Sequence, residues 1–401
     1  MPSQTQRTAS TSHSTPAAPA GSGASTSAAG GASNSDMIAK MNAQGQPKDK
    51  VVMYVTQNST THHADEIPET LAALQKADAM GMGKRKLLPI SDPYANGQTT
   101  YDYAFGDETP KMDWWHADKN LREGQVRVGE DVLTLGTDDP GASQDEMMKI
   151  SDDWRKLLIA TGLKESKADE VIAALMRDPS GNAKLTASGV GASNELVQMI
   201  SAFNRAESGE FDIESLVLSG HHYSGTDYLF GEKGDHEYDL NDSLNFKDIE
   251  ALRDVFPKAY AGVKSVQFSA CNTHDIGMQD EAGESVSTNE WLSNTFENVE
   301  SASYWEGIAP GPETAAFWSG EFQLDTARKR KGDKTAFDDA YWRSTQRGAA
   351  KRSERDANGE MSEIPVAKNT KSYTYNDYKG YRGTTGESFH KRPDLMKYVV
   401  K

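Results

Sequence analysis

Large apolar side chains are almost missing from residues 1–48, which are built mainly of Ser, Thr, Ala, Gly and Pro. Such a segment cannot bury enough surface to offset the entropy of ordering it, so a disordered leader is expected. The pattern changes at Val51-Val52-Met53-Tyr54-Val55, a continuous apolar run that predicts a first buried strand. Ile67, Leu71, Leu74 and Ala77 then recur near a 3.6-residue period and predict a helix. Leu87-Leu88-Pro89-Ile90 predicts the next strand, closed by the turn-prone Ser91-Asp92-Pro93. The aromatic-rich stretch from Tyr94 to about Gly141 has no clear period and ends in a predicted strand, 131–135. Helical spacing returns over 143–162, 167–177 and 193–207.

The clearest unit follows. Ile213–Leu218 and Val263–Phe268 read as buried strands, and Phe246–Phe256 between them as a helix. Strand, helix, strand implies a right-handed crossover in a parallel sheet. A further strand is predicted near 299–304 and a helix near 313–322. Beyond Arg328 the apolar period is lost and tyrosines (Tyr373, Tyr375, Tyr378, Tyr381) dot a polar background. The organisation expected is a leader over 1–48, an α/β domain over 49–327, and a weakly ordered extension over 328–401.

Charge sharpens that division. The net charge is −17, yet residues 328–401 hold 18 Lys and Arg against 10 Asp and Glu. An acidic body argues against nucleic acid as a partner. The basic tail is expected to be solvated, with contact to an acidic partner or to its own body as the alternatives. Arg328-Lys329-Arg330-Lys331 is then an exposed, cleavable site. No apolar run approaches the ~20 residues that span a bilayer, and no secretory signal pattern is visible. One cysteine excludes an internal disulfide and fits a reducing cytoplasm, with export by a route without a signal peptide left open.

In a parallel sheet, functional groups collect beyond the carboxyl ends of the strands. The strand ending at Leu218 runs into Ser219-Gly220-His221-His222, and the one ending at Phe268 into Ser269-Ala270-Cys271-Asn272-Thr273. If the strands are neighbours, an imidazole and the only thiol stand side by side. The imidazole can take the thiol proton and later return it to a leaving amine. Main-chain N–H groups past the strand ends are donors for an oxyanion.

An apolar strand ending in Ser-Gly-His, and 50 residues later another ending in Ser-Ala-Cys, resembles the caspase–gingipain–separase clan of cysteine peptidases. Within it the chain is most similar to the bacterial CHAT-type branch. The resemblance implies a caspase-like three-layer α/β/α sandwich with a mostly parallel sheet of about six strands. It also implies His221 and Cys271 as the catalytic dyad, the N–H groups of His222 and Cys271 as oxyanion donors, and a protein or peptide substrate.

Ser219, Ser269, His274 and Asp275 are further candidates to line the pocket or orient the dyad. The chain departs from the family pattern at His222, where Gly is usual, and at Ser269, where clan members of basic specificity carry Asp. No arginines match those by which caspases select aspartate. A second reading is a non-catalytic interaction module of the same fold. A third, a serine hydrolase using Ser224, conflicts with His222 at the place where a nucleophile elbow needs Gly.

No metal or cofactor is required. Calcium, used by some members of the clan, has one candidate stretch in Asp235–Asp242, which lacks an EF-hand framework. His62, His63 and Asp65 read as a polar loop after the first strand rather than a metal site. A long Ser/Thr/Ala/Gly leader before such a core also resembles effectors loaded into contractile injection systems, so that machinery is a candidate partner.

Overall fold

The computed structural model describes residues 48–57, 60–91, 125–128, 130–136, 143–175, 190–233, 237–280, 282–309, 312–334, 344–345, 348–364 and 398. The expected disorder of the leader falls almost wholly outside these residues. So do most of the aromatic-rich stretch and the Tyr373–Tyr381 segment.

Strand β1 (Asp49–Thr56) leads into helix α1 (Thr60–Ala79) and strand β2 (Arg85–Ser91), and β3 (Gln125–Val128) and β4 (Asp131–Thr134) make a small hairpin apart from the main sheet. Three helices come next, α2 (Gln144–Ala160), α3 (Glu165–Leu175) and α4 (Val190–Glu207), before β5 (Phe211–Ser219). A hairpin of β6 (Tyr228–Lys233) and β7 (Glu237–Asn245) precedes α5 (Phe246–Ala251), α6 (Pro257–Gly262) and β8 (Ser265–Ser269). The short pair β9 (Met278–Gln279) and β10 (Ser285–Val286) is followed by α7 (Thr288–Thr295), β11 (Ser301–Gly307) and α8 (Pro312–Arg330). Last come β12 (Ser344–Thr345), β13 (Gly348–Arg355) and β14 (Met361–Glu363).

The main sheet runs β12-β13-β11-β8-β5-β1-β2, with β14 also on β13, which makes eight strands rather than about six. From β2 to β11 every pairing is parallel, and β13 then lies antiparallel to β11. This is the three-layer α/β/α sandwich expected.

Alternation along the strands divides the two faces. Val51, Met53 and Val55 of β1 join Leu216, Leu218, Val266, Phe268 and Ala302 in one large apolar cluster with the helices α2 to α7. A bulge holds β5 in this pattern: Val51 pairs with Ile213 and Val52 with Ser215, so Glu214 is the extra residue. Without it, Ile213 and Leu216 would point to opposite faces.

The other face is polar for a buried surface. Ser265 Oγ donates to Ser215 Oγ at 2.9 Å, Gln323 Nε2 of α8 donates to the same oxygen at 2.8 Å, and Arg85 Nη1 donates to Gln323 Oε1 at 3.1 Å. Helix α8 runs past the predicted end at 322 because its buried side carries Ser319, Gln323 and Thr326, which an apolar period does not register.

Two other expectations change. The helix expected over 246–256 stops at Ala251, and α6 is a separate helix that Pro257 begins after Phe256 takes a non-helical φ of −125°. His62, His63 and Asp65 lie in helix α1, not in a loop.

The domain does not end at 327. β13 forms seven register pairs with β11, from Ser301↔Glu354 to Gly307↔Gly348, and Tyr398 Oη donates to Asp78 Oδ2 at 2.7 Å. Part of the basic run at the end of α8 is tied to the acidic body, while Lys329 and Lys331 stay exposed. Arg328 pairs with Asp325 and Asp333, Lys329 with Glu354, and Arg330 with Glu214 and Glu300, at 2.5–3.1 Å. Of the alternatives for the tail, these residues take the fold back onto their own body.

Candidate active site

β5 and β8 are neighbours, and Ser219 is paired in register with Ser269 at their carboxyl ends. His221 and Cys271 therefore each stand two residues beyond a matched pair, on adjacent parallel strands. Ser219 and Ser269 are buried. The Gly220 N–H donates to Ser269 O at 3.4 Å, and the Gln57 N–H at the end of β1 donates to Ser219 O at 2.9 Å. The two serines thus fix the strand ends rather than face solvent. Because β1 connects to β2 on one side and the chain returns to β5 on the other, the site lies beside the point where the strand order reverses.

His221 is half-buried and held by the hairpin β6–β7. Its N–H donates to Phe230 O at 2.8 Å, the Phe230 N–H donates back to His221 O at 3.0 Å, and the two rings stack with centroids 5.6 Å apart. The imidazole plane is set by an aromatic surface that the sequence reading did not single out.

Cys271 is half-buried, and burial pushes its thiol above the ordinary range. The main-chain N–H groups of Ala309 and of Cys271 itself point at the sulfur and act against that push. The resting sulfur is thus protonated near neutral pH, and a base is needed to make it a nucleophile. Asn272 next to it has φ +52°, the only positive φ among the described residues other than glycine. Asn tolerates this region better than most side chains, and strain of this kind collects at functional turns. The turn is knit to the end of β11: the Asn272 N–H donates to Gly307 O at 2.7 Å, and the His274 N–H to Trp305 O at 3.0 Å.

The His222 side chain is buried rather than exposed at the mouth of the site. It is 2% exposed and turned inward, and burial holds its pKa below the ordinary value. Among the described residues its N–H has no main-chain acceptor, whereas the Cys271 N–H is engaged with the sulfur. His274 and Asp275 are exposed. Asp275 accepts from Ser224 Oγ at 2.9 Å, which spends the Ser224 hydroxyl on joining two loops.

Two features with no local sequence signal complete the site. Gly277, at φ +61°, packs against Gly225, and the Ala309 N–H reaches the sulfur from the turn after β11. Both act on partners far away in the chain. Only the Pro310-Gly311-Pro312 punctuation hinted at a turn near Ala309.

Among the described residues no group of three or more His, Cys, Asp or Glu is gathered as a metal would need, and no helix is long and apolar enough to cross a membrane. The side chains of the 235–242 stretch lie outside the described residues. Compared with protein-family models, curated proteins and solved structures, the chain matches none.

Proposed function

We propose that the chain is a cysteine endopeptidase of the caspase-like type. The Cys271 sulfur attacks the carbonyl carbon of the scissile peptide, and His221 takes the thiol proton. The N–H groups of His222 and Cys271 hold the oxyanion. His221 then gives the proton to the departing amine as the C–N bond breaks. Water, deprotonated by the same imidazole, hydrolyses the thioester and restores the thiol.

The observation that carries this reading is the matched pair Ser219↔Ser269, which sets the imidazole and the only thiol two residues beyond adjacent parallel strand ends. In this reading the protonated resting thiol leaves His221 to act as base during attack, not merely to stabilise a preformed thiolate. The same protonated thiol favours a second reading, a caspase-like interaction module without turnover.

A proteome-derived peptide library separates the two readings. It is to be incubated with wild type and with Cys271→Ala, each with and without calcium. Cuts made only by wild type support the peptidase and read out its P1 preference. Folded, soluble proteins that are equally inert support the module. Equal cutting by both removes the dyad from consideration.

A further inference from the structure

We propose that His222 is a positioning residue for the nucleophile turn, its one ring N–H donating from Nδ1 to the carbonyl oxygen of Cys271. The proposal rests on Cys271 being the nucleophile, as proposed above. Nδ1 of His222 lies 2.9 Å from Cys271 O and Nε2 lies 2.9 Å from Thr226 O. Beneath it is Phe246 of α5, with ring centroids 5.9 Å apart. The charged or titratable side chains acting on it are Asp275 and His274, both on the loop after β8.

The peptide unit between Cys271 and Asn272 shows why this bond matters. Its N–H end is held by Gly307 O at 2.7 Å, and its carbonyl end by His222. Asn272 keeps φ at +52° across that unit, a conformation that rotation of the peptide plane would relieve. Gripping the plane at both ends offsets the strain and keeps the sulfur beneath the N–H groups of Ala309 and Cys271. On its far side the ring lies against the Thr226 turn, which is itself closed: the Thr226 N–H donates to Tyr223 O at 3.1 Å and its hydroxyl to the same oxygen at 2.8 Å. A glycine at 222 would leave the Cys271 carbonyl without this partner. His222 is thus a working part of this chain's site rather than a decayed glycine.

Cys271 is the only cysteine in the chain, so alkylation by iodoacetamide followed by intact mass reports one residue. The rate is to be measured against pH for the full chain as wild type, His222→Phe, His222→Gly and His222→Gln, each checked for a cooperative melt. Loss of the donor lets the sulfur leave its N–H groups. The inflection of His222→Phe should then move up by about one pH unit, making the reaction ~10-fold slower at neutral pH. His222→Gln, which keeps a donor, should fall nearer wild type.

A folded His222→Phe with the wild-type profile overturns the proposal, since the ring then only packs. His222→Gln shifted as far as His222→Phe overturns it too. Should His222→Phe fail to fold, His222→Gly is read by the same criterion. Alkylation needs no turnover, so a peptide assay that shows no cleavage by wild type counts against the peptidase reading alone.

Discussion

A Cβ placed on Gly277 would stand 2.3 Å from the carbonyl carbon of Gly225, so the loops after β8 and β5 meet main chain to main chain. Gly277 also sits at φ +61°, where a side chain is strained even in open space. Gly277→Ala should therefore cost ~2–4 kcal/mol, from left-handed strain plus displaced backbone. It should also abolish any peptidase activity, because the two loops carry the proposed dyad. Gly283, at φ +80° with nothing near its would-be Cβ, supplies the control. Gly283→Ala should lose only ~1–2 kcal/mol. Urea denaturation of both variants decides: equal losses would mean that the loop contact contributes nothing.

Glu214, extruded by the bulge in β5, is held by Lys50 Nζ at 2.7 Å and Arg330 Nη1 at 3.0 Å, with Arg85 Nη1 at 4.0 Å. Burial, the largest single influence, pushes its carboxyl upward, but Arg330, Lys50 and Arg85 together hold it below the ordinary value. Burial also brings Arg85 down to about 10. Removing the carboxylate with Glu214→Ala leaves the buried Arg85 and the half-buried Arg330 without this counter-charge and should cost ~3–5 kcal/mol.

The sign of the pH effect follows from the lowered carboxyl. Stability contributed by Glu214 is fully present above its unfolded pKa of about 4.3 and is lost as pH falls through the lower folded value. The stability gap between wild type and Glu214→Gln should be wide at pH 6 and close toward pH 3. A gap that stays flat would mean that the cluster does not hold the charge.

The edge of the sheet supplies a third prediction. β11 is covered on its outer side by β13, and Tyr304 Oη shares a 2.7 Å hydrogen bond with Ser353 Oγ across that pairing. A chain shortened to end at Asp333 would leave β11 as a bare strand edge, the usual template for intermolecular pairing. It should aggregate on size-exclusion chromatography. A chain ending at Ile364 keeps β13 and β14 and should stay monodisperse, losing only contacts such as that of Tyr398 with Asp78. A soluble, cooperatively folded chain ending at Asp333 would refute the role given to β13.

These relationships show which parts of the molecule were legible in the chain. β1, β5 and β8 could be read because central parallel strands are buried on both faces and appear as unbroken apolar runs. The neighbouring places of His221 and Cys271 could be read because both residues follow such runs. β13, with sequence GAAKRSER, could not. It lies between β11 and the short strands β12 and β14, and its Lys351 pairs with Glu306 and Glu363, so its signature is charge complementarity with partners on neighbouring strands. Phe230, Gly277 and Ala309 were invisible for the same reason: each acts through a partner that only the fold brings near.

Asp248 in α5 offers a pH test of opposite sign to Glu214. Burial first, and the Asp227 carboxylate second, raise its pKa to about 7. A raised carboxyl means that the folded state binds its proton more tightly than the unfolded chain does. Its stabilising contribution is full below the unfolded pKa of about 3.9 and is lost as pH rises through about 7. Asp248→Asn mimics the protonated form at every pH. It should melt with wild type at pH 4 and above wild type at pH 8. Part of the Asp248 surface stays accessible, so water screens the charge and the gain should be smaller than the loss in Gly277→Ala. Asp227→Asn removes the neighbouring charge but not the burial, and should recover only the lesser share of that gain. Equal Tm offsets for Asp248→Asn at both pH values would mean that the side chain matters for packing, not for its charge.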